Sequence, residues 1–162
     1  MAPRSASAGG RGLIVKLRAE GQEFSYGDRE TMLYALGIGL GADPMDTREL
    51  PFVYENGLRV MPTQATVIAW GAGRTGEIGI NYMMVVHGEQ KLVVHKPLPD
   101  AATILADWHV THILDKGAGK GAVIYSDTVI RDKKTGEKYV TLTGSTFARA
   151  DGGFGGPSSG GP

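Results

Sequence analysis

The last third of the chain holds three long runs of strand character separated only by turns, and few architectures accommodate that. Residues 103–116 place Ile104, Ala106, Trp108, Val110, His112 and Leu114 on one face. Asp107, His109, Thr111 and Asp115 fall on the other, with Leu105 and Ile113 out of step. That alternation predicts a half-buried antiparallel strand. Gly117-Ala118-Gly119-Lys120-Gly121 is the turn, and residues 122–131 form the second run, with Val123, Ile124, Tyr125, Val129 and Ile130. Asp132-Lys133-Lys134-Thr135-Gly136 reads as a hairpin loop ending in glycine. Residues 137–148 make the third run. The three form a meander.

A fourth strand lies upstream. Lys91-Leu92-Val93-Val94-His95 is strand-like, and apolar residues 83–86 precede it. Gly88 interrupts the run, so a bend or bulge is expected there. Pro97 and Pro99 lack the N–H that a ladder needs, so they end the strand. Residues 13–17, Leu-Ile-Val-Lys-Leu, are a shorter candidate for an edge strand or an arm.

Two helical patterns come before this sheet. Asp28 is a candidate N-cap, followed by Glu30 in the first turn and an apolar stripe of Met32, Leu33, Ala35 and Leu36. Gly37, Gly39 and Gly41 end it. Met61-Pro62-Thr63 reads as the second helix start, with Thr63 the cap. Ala65, Val67, Ile68, Ala69 and Trp70 are then apolar on most sides. A short helix without a polar face is buried, which makes this the expected central helix. One buried helix against one curved antiparallel sheet is an α+β layer pair. The loop with Gly71, Gly73 and Gly76 has no strand before it and no helix after it, so it does not read as a phosphate cradle.

With 162 residues the chain is one ordinary domain, and 17 basic against 17 acidic residues leave no net charge. That argues against nucleic acid or a membrane surface held by bulk charge. The absence of cysteine excludes disulfides and thiolate metal sites and fits a reducing, intracellular compartment. No apolar run approaches the ~20 residues of a membrane span. The expected organisation is a disordered N-terminus over 1–12, one domain over 13–151, and a Gly/Ser/Pro-rich linker or tail over 152–162. His109 and His112 project to opposite faces of a regular strand and have no third ligand at useful spacing, so no metal site is expected. Lys116, Lys120, Lys133 and Lys134 read as solvated turn lysines.

Several stretches together carry a resemblance. Tyr34-Ala35-Leu36-Gly37-Ile38-Gly39, His87-Gly88-Glu89-Gln90, Lys96-Pro97-Leu98-Pro99, Leu114-Asp115-Lys116-Gly117 and Gly152-Gly153-Phe154-Gly155-Gly156 occur in that order. The chain resembles the N-terminal half of the type 2 enoyl-CoA hydratases, in the MaoC-like hydratase/dehydratase family. The resemblance implies a hot-dog fold, a curved antiparallel sheet wrapped around a central helix. It also implies chemistry on a coenzyme A thioester, the reversible hydration of a trans-2-enoyl-CoA to the (R)-3-hydroxyacyl-CoA in fatty-acid β-oxidation. No cofactor is implied.

In that family a second hot-dog repeat carries the catalytic motif Asp-x-Asn-Pro-x-His, and the first helps form the tunnel for the acyl tail. The motif is absent from these 162 residues, where Asp43-Pro44 is the nearest fragment. The resemblance therefore implies an acyl-chain-binding half, inactive alone, whose partner is a second hot-dog domain or a second copy. A peroxisomal location is implied if the source is eukaryotic, a cytoplasmic one otherwise. Met61, Val67, Ile68 and Trp70 are the candidates for an acyl-tail slot, although apolar helix residues such as Val67, Ile68 and Trp70 are far more often core than ligand wall.

Hydration needs a base for water, an acid for the α-carbon and donors for the enolate oxygen. His87 and Glu89 are the His/carboxylate pair beside a glycine bend, on one face if the stretch is extended. They are the weak catalytic candidates, for a free-standing hydratase or thioesterase. Alternatively, His87, Gly88, Glu89 and Gln90 satisfy local polar groups or line the seam between two hot-dog units. A third possibility is a domain that serves dimerisation alone.

Overall fold

The computed structural model describes residues 16–162. The reading of residues 1–12 as disordered, and Leu13, Ile14 and Val15 of the first strand candidate, lie outside the described residues. Five strands form one antiparallel sheet: β1 (Arg18–Tyr26), β2 (Val85–Val94), β3 (Ala102–Asp115), β4 (Ala122–Asp132) and β5 (Lys138–Ala148). Their order is β1-β3-β4-β5-β2, so the expected meander is the centre and β1 and β2 are the edges. The first helix, α1 (Asp28–Gly37), follows β1. Two four-residue helices come next, α2 (Leu50–Val53) and α3 (Ala65–Ile68), the latter entered through a 3-10 turn over Pro62–Gln64.

Strand β1 is the element the sequence pattern missed. Six of its nine residues are exposed and a bulge breaks its register, with Glu20 and Gly21 opposing the single residue Asp107. Gly21 takes φ +63° there, and its N–H donates to the Asp107 carboxylate at 2.8 Å. Asp107 also pairs with Arg131 of β4.

A second bulge corrects the reading of β3. Val110 pairs with Ser126 and His112 with Tyr125, which leaves Thr111 extra. The inward face therefore runs Ile104, Ala106, Trp108, Val110 and then Ile113, which packs with Trp108, Val110, Ile124 and Ala148. Ile113 is thus in step after all. His112 is turned outward against Tyr125, ring edge to ring face. His109 and His112 pair with Asp127 and Tyr125, alternate residues of β4, so both project from the outer face rather than from opposite faces. Among the described residues no group of three metal-ligating side chains gathers there.

Both helix expectations need correction as well. Gly27, not Asp28, caps α1, and the Glu30 carboxylate accepts the Gly27 N–H at 2.9 Å. Thr31 and Ala35 are its buried face, while Leu33 and Leu36 stand more than half exposed. The central helix is one turn long. Ala65 is fully buried against Tyr26, Ile104, Ile130 and Leu142, and Ile68 and Ala69 pack at the edge of that cluster. Val67 and Trp70 face away from it, with Trp70 81% exposed. So short a helix has only one side to bury, and Gly71, at φ +92°, turns the chain soon after it ends.

Residues 152–158 are tied down along the end of the sheet. The Asp115 carboxylate, in a residue only 5% exposed, accepts the N–H groups of Gly117, Gly153, Gly155 and Gly156 at 2.7–3.3 Å. The Asp115 N–H donates to the Pro157 carbonyl, and the Lys116 ammonium to the Ser158 carbonyl. Phe154 packs on the core beside Ile113 and Ile124. A β-carbon on Gly152 would sit 2.3 Å from the Gly117 carbonyl oxygen, so this backbone approach requires glycine. Gly153 is similarly tight against Ala118, whereas a β-carbon on Gly155 or Gly160 would meet nothing within 4 Å.

Candidate functional site

Strand β2 carries the residues singled out for chemistry, and a bulge at Gly88 determines where they go. His87 pairs with Thr146 and Gln90 with Gly144, so Gly88 and Glu89 together oppose Ser145. A β-carbon on Gly88 would lie 2.5 Å from the Ser145 hydroxyl oxygen. Only glycine lets the strand come this close.

The bulge separates His87 from Glu89. His87 lines a cleft of about 310 Å³ between the α3 turn and the inner face of the sheet. Its walls include Ala65, Ala69, Trp70 and Trp108, and Gln90, Ser126 and Thr128 lie on its sheet side. Glu89 instead borders a second hollow with Lys91, Tyr125 and Pro162. The Tyr125 hydroxyl reaches the Glu89 carboxylate at 3.5 Å. The two therefore do not share one face, contrary to the expectation for an extended stretch, because the extra residue reverses the alternation. Gln90 borders both hollows, and its amide makes long contacts of 3.5 Å to the Lys91 and Thr143 carbonyls.

Of the residues proposed for an acyl slot, Trp70 lines the cleft. Met61 sits at the start of the 3-10 turn, Ile68 packs on the core, and Val67 is exposed away from the cleft. Trp108, one of the apolar-face residues of β3, forms the cleft floor beneath the 71–73 loop. A β-carbon on Gly73 would touch its indole at 3.0 Å. The two tryptophans of the chain are thus both cleft residues. Of the turn lysines, Lys133 pairs with Glu23 and Lys116 holds the C-terminal stretch.

Comparison with known proteins decides the family. The model of the MFE-2 hydratase 2 N-terminal domain matches residues 24–150. The chain belongs to the MFE-2 hydratase 2 N-terminal domain family. Its relatives include enoyl-CoA hydratase ChsH3 of Mycobacterium tuberculosis, 36% identical over 140 residues, covering 83% of this chain and 48% of that one. Peroxisomal multifunctional enzyme type 2 of Mus musculus is 32% identical over 140 residues, covering 82% of this chain and 18% of that one. Among solved structures, a MaoC-like dehydratase from Phytophthora capsici superimposes with a TM-score of 0.72 at 23% identity, over 92% of this chain and 52% of that one. This domain of the MFE-2 hydratase 2 family thus has the hot-dog fold that its sequence motifs implied. It spans about half the length of the curated relatives first matched.

Proposed function

We propose that this chain is the acyl-chain-binding half of an (R)-specific enoyl-CoA hydratase of fatty-acid β-oxidation. On this reading, proton transfer to and from the thioester belongs to a second hot-dog unit. The carrying observation is the division of polar groups at the β2 bulge. His87 opens on the cleft and Glu89 on the other hollow, so they do not flank one substrate carbon as an acid/base pair must. The cleft itself suits an acyl tail, with an apolar wall of Trp70, Trp108, Ala65 and Ala69 left open because the helix above the sheet is a single turn.

Strand β2 supports the need for a partner. It is an edge strand, and eight of its ten residues are exposed, Val86, Val93 and Val94 among them. Such an edge invites pairing with another sheet. A second hot-dog unit, in the same polypeptide or as another subunit, fits there. The reaction needs only water and the coenzyme A thioester, with no cofactor. A peroxisomal setting is proposed from the naming of the mouse relative.

The test is an assay of the chain with crotonyl-CoA and a longer enoyl-CoA, reading 3-hydroxyacyl product and free thiol, beside a titration with lauroyl-CoA. The expected result is saturable binding without turnover. Turnover that disappears in Glu89→Gln would overturn this reading.

A further inference from the structure

We propose that the cleft is built for an acyl tail bearing an oxygen function, a hydroxyl or a carbonyl, rather than for a plain alkyl chain. This rests on the acyl-binding reading above and names the class of tail. The inner face of a sheet that covers a core is expected to be apolar, and here both ends are. Ile104, Ile130 and Val140 belong to one buried cluster, and Val110, Ile113 and Ile124 to the other. Between them runs a polar band. The inward positions of β4 read Ile124, Ser126, Thr128, Ile130, so two hydroxyls interrupt an isoleucine face.

The register continues the band across the sheet. Ser126 pairs with Gly144, and Gly144 with Gln90, so one row has a serine, a gap and an amide. The next row places Thr146 beside His87. Thr128, Ser126, Thr146, Gln90 and His87 all line the cleft. Gly144 leaves the row hollow in the middle, where a β-carbon would stand 3.5 Å from the Gln90 amide oxygen.

These side chains lie open to solvent on the cleft face, Ser126, Thr128 and Thr146 in part and His87 and Gln90 more fully. Among the described residues no hydrogen bond engages the side chains of Ser126, Thr128, Thr146 or His87. An alkyl tail laid over the band would strip water from these groups and return no partner. A tail with its own hydroxyl or carbonyl restores one. The serine and threonine hydroxyls and the Gln90 amide each both donate and accept, so either function can be met. A site built to hydrogen-bond its ligand discriminates strongly against the analogue that lacks the group.

The two tryptophans both line the cleft, so intrinsic fluorescence reports occupancy. The 162-residue chain is titrated with lauroyl-CoA, ω-hydroxylauroyl-CoA and a mid-chain hydroxy isomer. At least one hydroxylated probe is expected to bind roughly tenfold more tightly than lauroyl-CoA, the order of one net hydrogen bond. In a Ser126→Ala, Thr128→Val variant that advantage, the ratio of the two affinities, shrinks to less than about twofold. The wild-type ratio is decisive even if the variant does not fold. Equal affinity for all three probes overturns this proposal and leaves the acyl-binding reading standing. Failure of every probe to saturate the signal overturns both.

Discussion

The Asp115 carboxylate accepts the backbone N–H of Gly153 at 2.7 Å, joining the last residue of β3 to a stretch 38 residues away. Its two oxygens serve four backbone donors in all, in a residue almost fully buried. In Asp115→Asn one oxygen becomes an NH₂ group, which faces N–H donors it cannot accept from. The thermal midpoint is expected to fall by roughly 5–10 °C, since buried donors lose their partner. Limited proteolysis followed by mass spectrometry should show new cleavage between residues 150 and 162. An unchanged cleavage pattern would mean that the Phe154 packing and the bonds to the Pro157 and Ser158 carbonyls hold the glycine stretch without the carboxylate.

The same carboxylate makes stability depend on acid. The Gly153 N–H, assisted by those of Gly117, Gly155 and Gly156, holds Asp115 down at about 2. An unfolded chain returns it to ~3.9. Between those values the unfolded state binds more protons, so stability rises with pH. The contribution is complete above the unfolded value and is lost as pH falls through about 2. Urea unfolding of the wild type and Asp115→Asn from pH 5 to pH 2 checks this. The gap between them should narrow steadily toward the acid end. Asp132, lowered chiefly by the Thr135 N–H, acts in the same direction but is common to both proteins and cancels in the difference.

Much of the architecture was legible because strand alternation is a long-range signal. Three runs in 103–148 appeared as β3, β4 and β5, and the predicted interruption at Gly88 is a bulge. What could not be read was the parity reversal at bulges. A single extra residue at Thr111 moved Ile113 inward and His112 outward, and one at Gly88 and Glu89 parted the two catalytic candidates. Such bulges depend on the partner strand, which a local pattern does not contain. Strand β1 was invisible for a related reason, since an exposed edge carries little hydrophobic periodicity. The apolar content of the α3 segment predicts burial on most sides, but a single turn has only one side to bury. Trp70 instead borders the cleft, and Val67 stands exposed to solvent.

The Gly88 bulge can be tested by adding one carbon. In Gly88→Ala the new methyl meets the Ser145 hydroxyl at 2.5 Å, closer than real β-carbons come. Overpacking of this kind costs about 1–3 kcal/mol. The companion change Ser145→Gly removes the obstructing oxygen. The double variant should therefore recover more than half of the stability lost in Gly88→Ala, as measured by urea unfolding. No recovery would place the strain in the backbone of β2 rather than in this contact.

The two tryptophans of the cleft are expected to separate stability from binding. Trp108 is 5% exposed and packs with Ile78, Val110 and Ile113, so Trp108→Ala opens a large void. That substitution should cost about 3–5 kcal/mol. Trp70 is 81% exposed and its removal disturbs no packed neighbour, so Trp70→Ala should alter stability by no more than about 0.5 kcal/mol. Yet Trp70 supplies the largest apolar surface on the helix side of the cleft. Covering it with an acyl tail would bury area that an alanine lacks, so lauroyl-CoA affinity should drop about tenfold, or ~1.4 kcal/mol at ~25 cal/mol per Å². Isothermal calorimetry reads the affinity without relying on the indole that has been removed. If Trp70→Ala bound lauroyl-CoA as tightly as wild type, the tail would have to lie against Trp108 and the sheet alone.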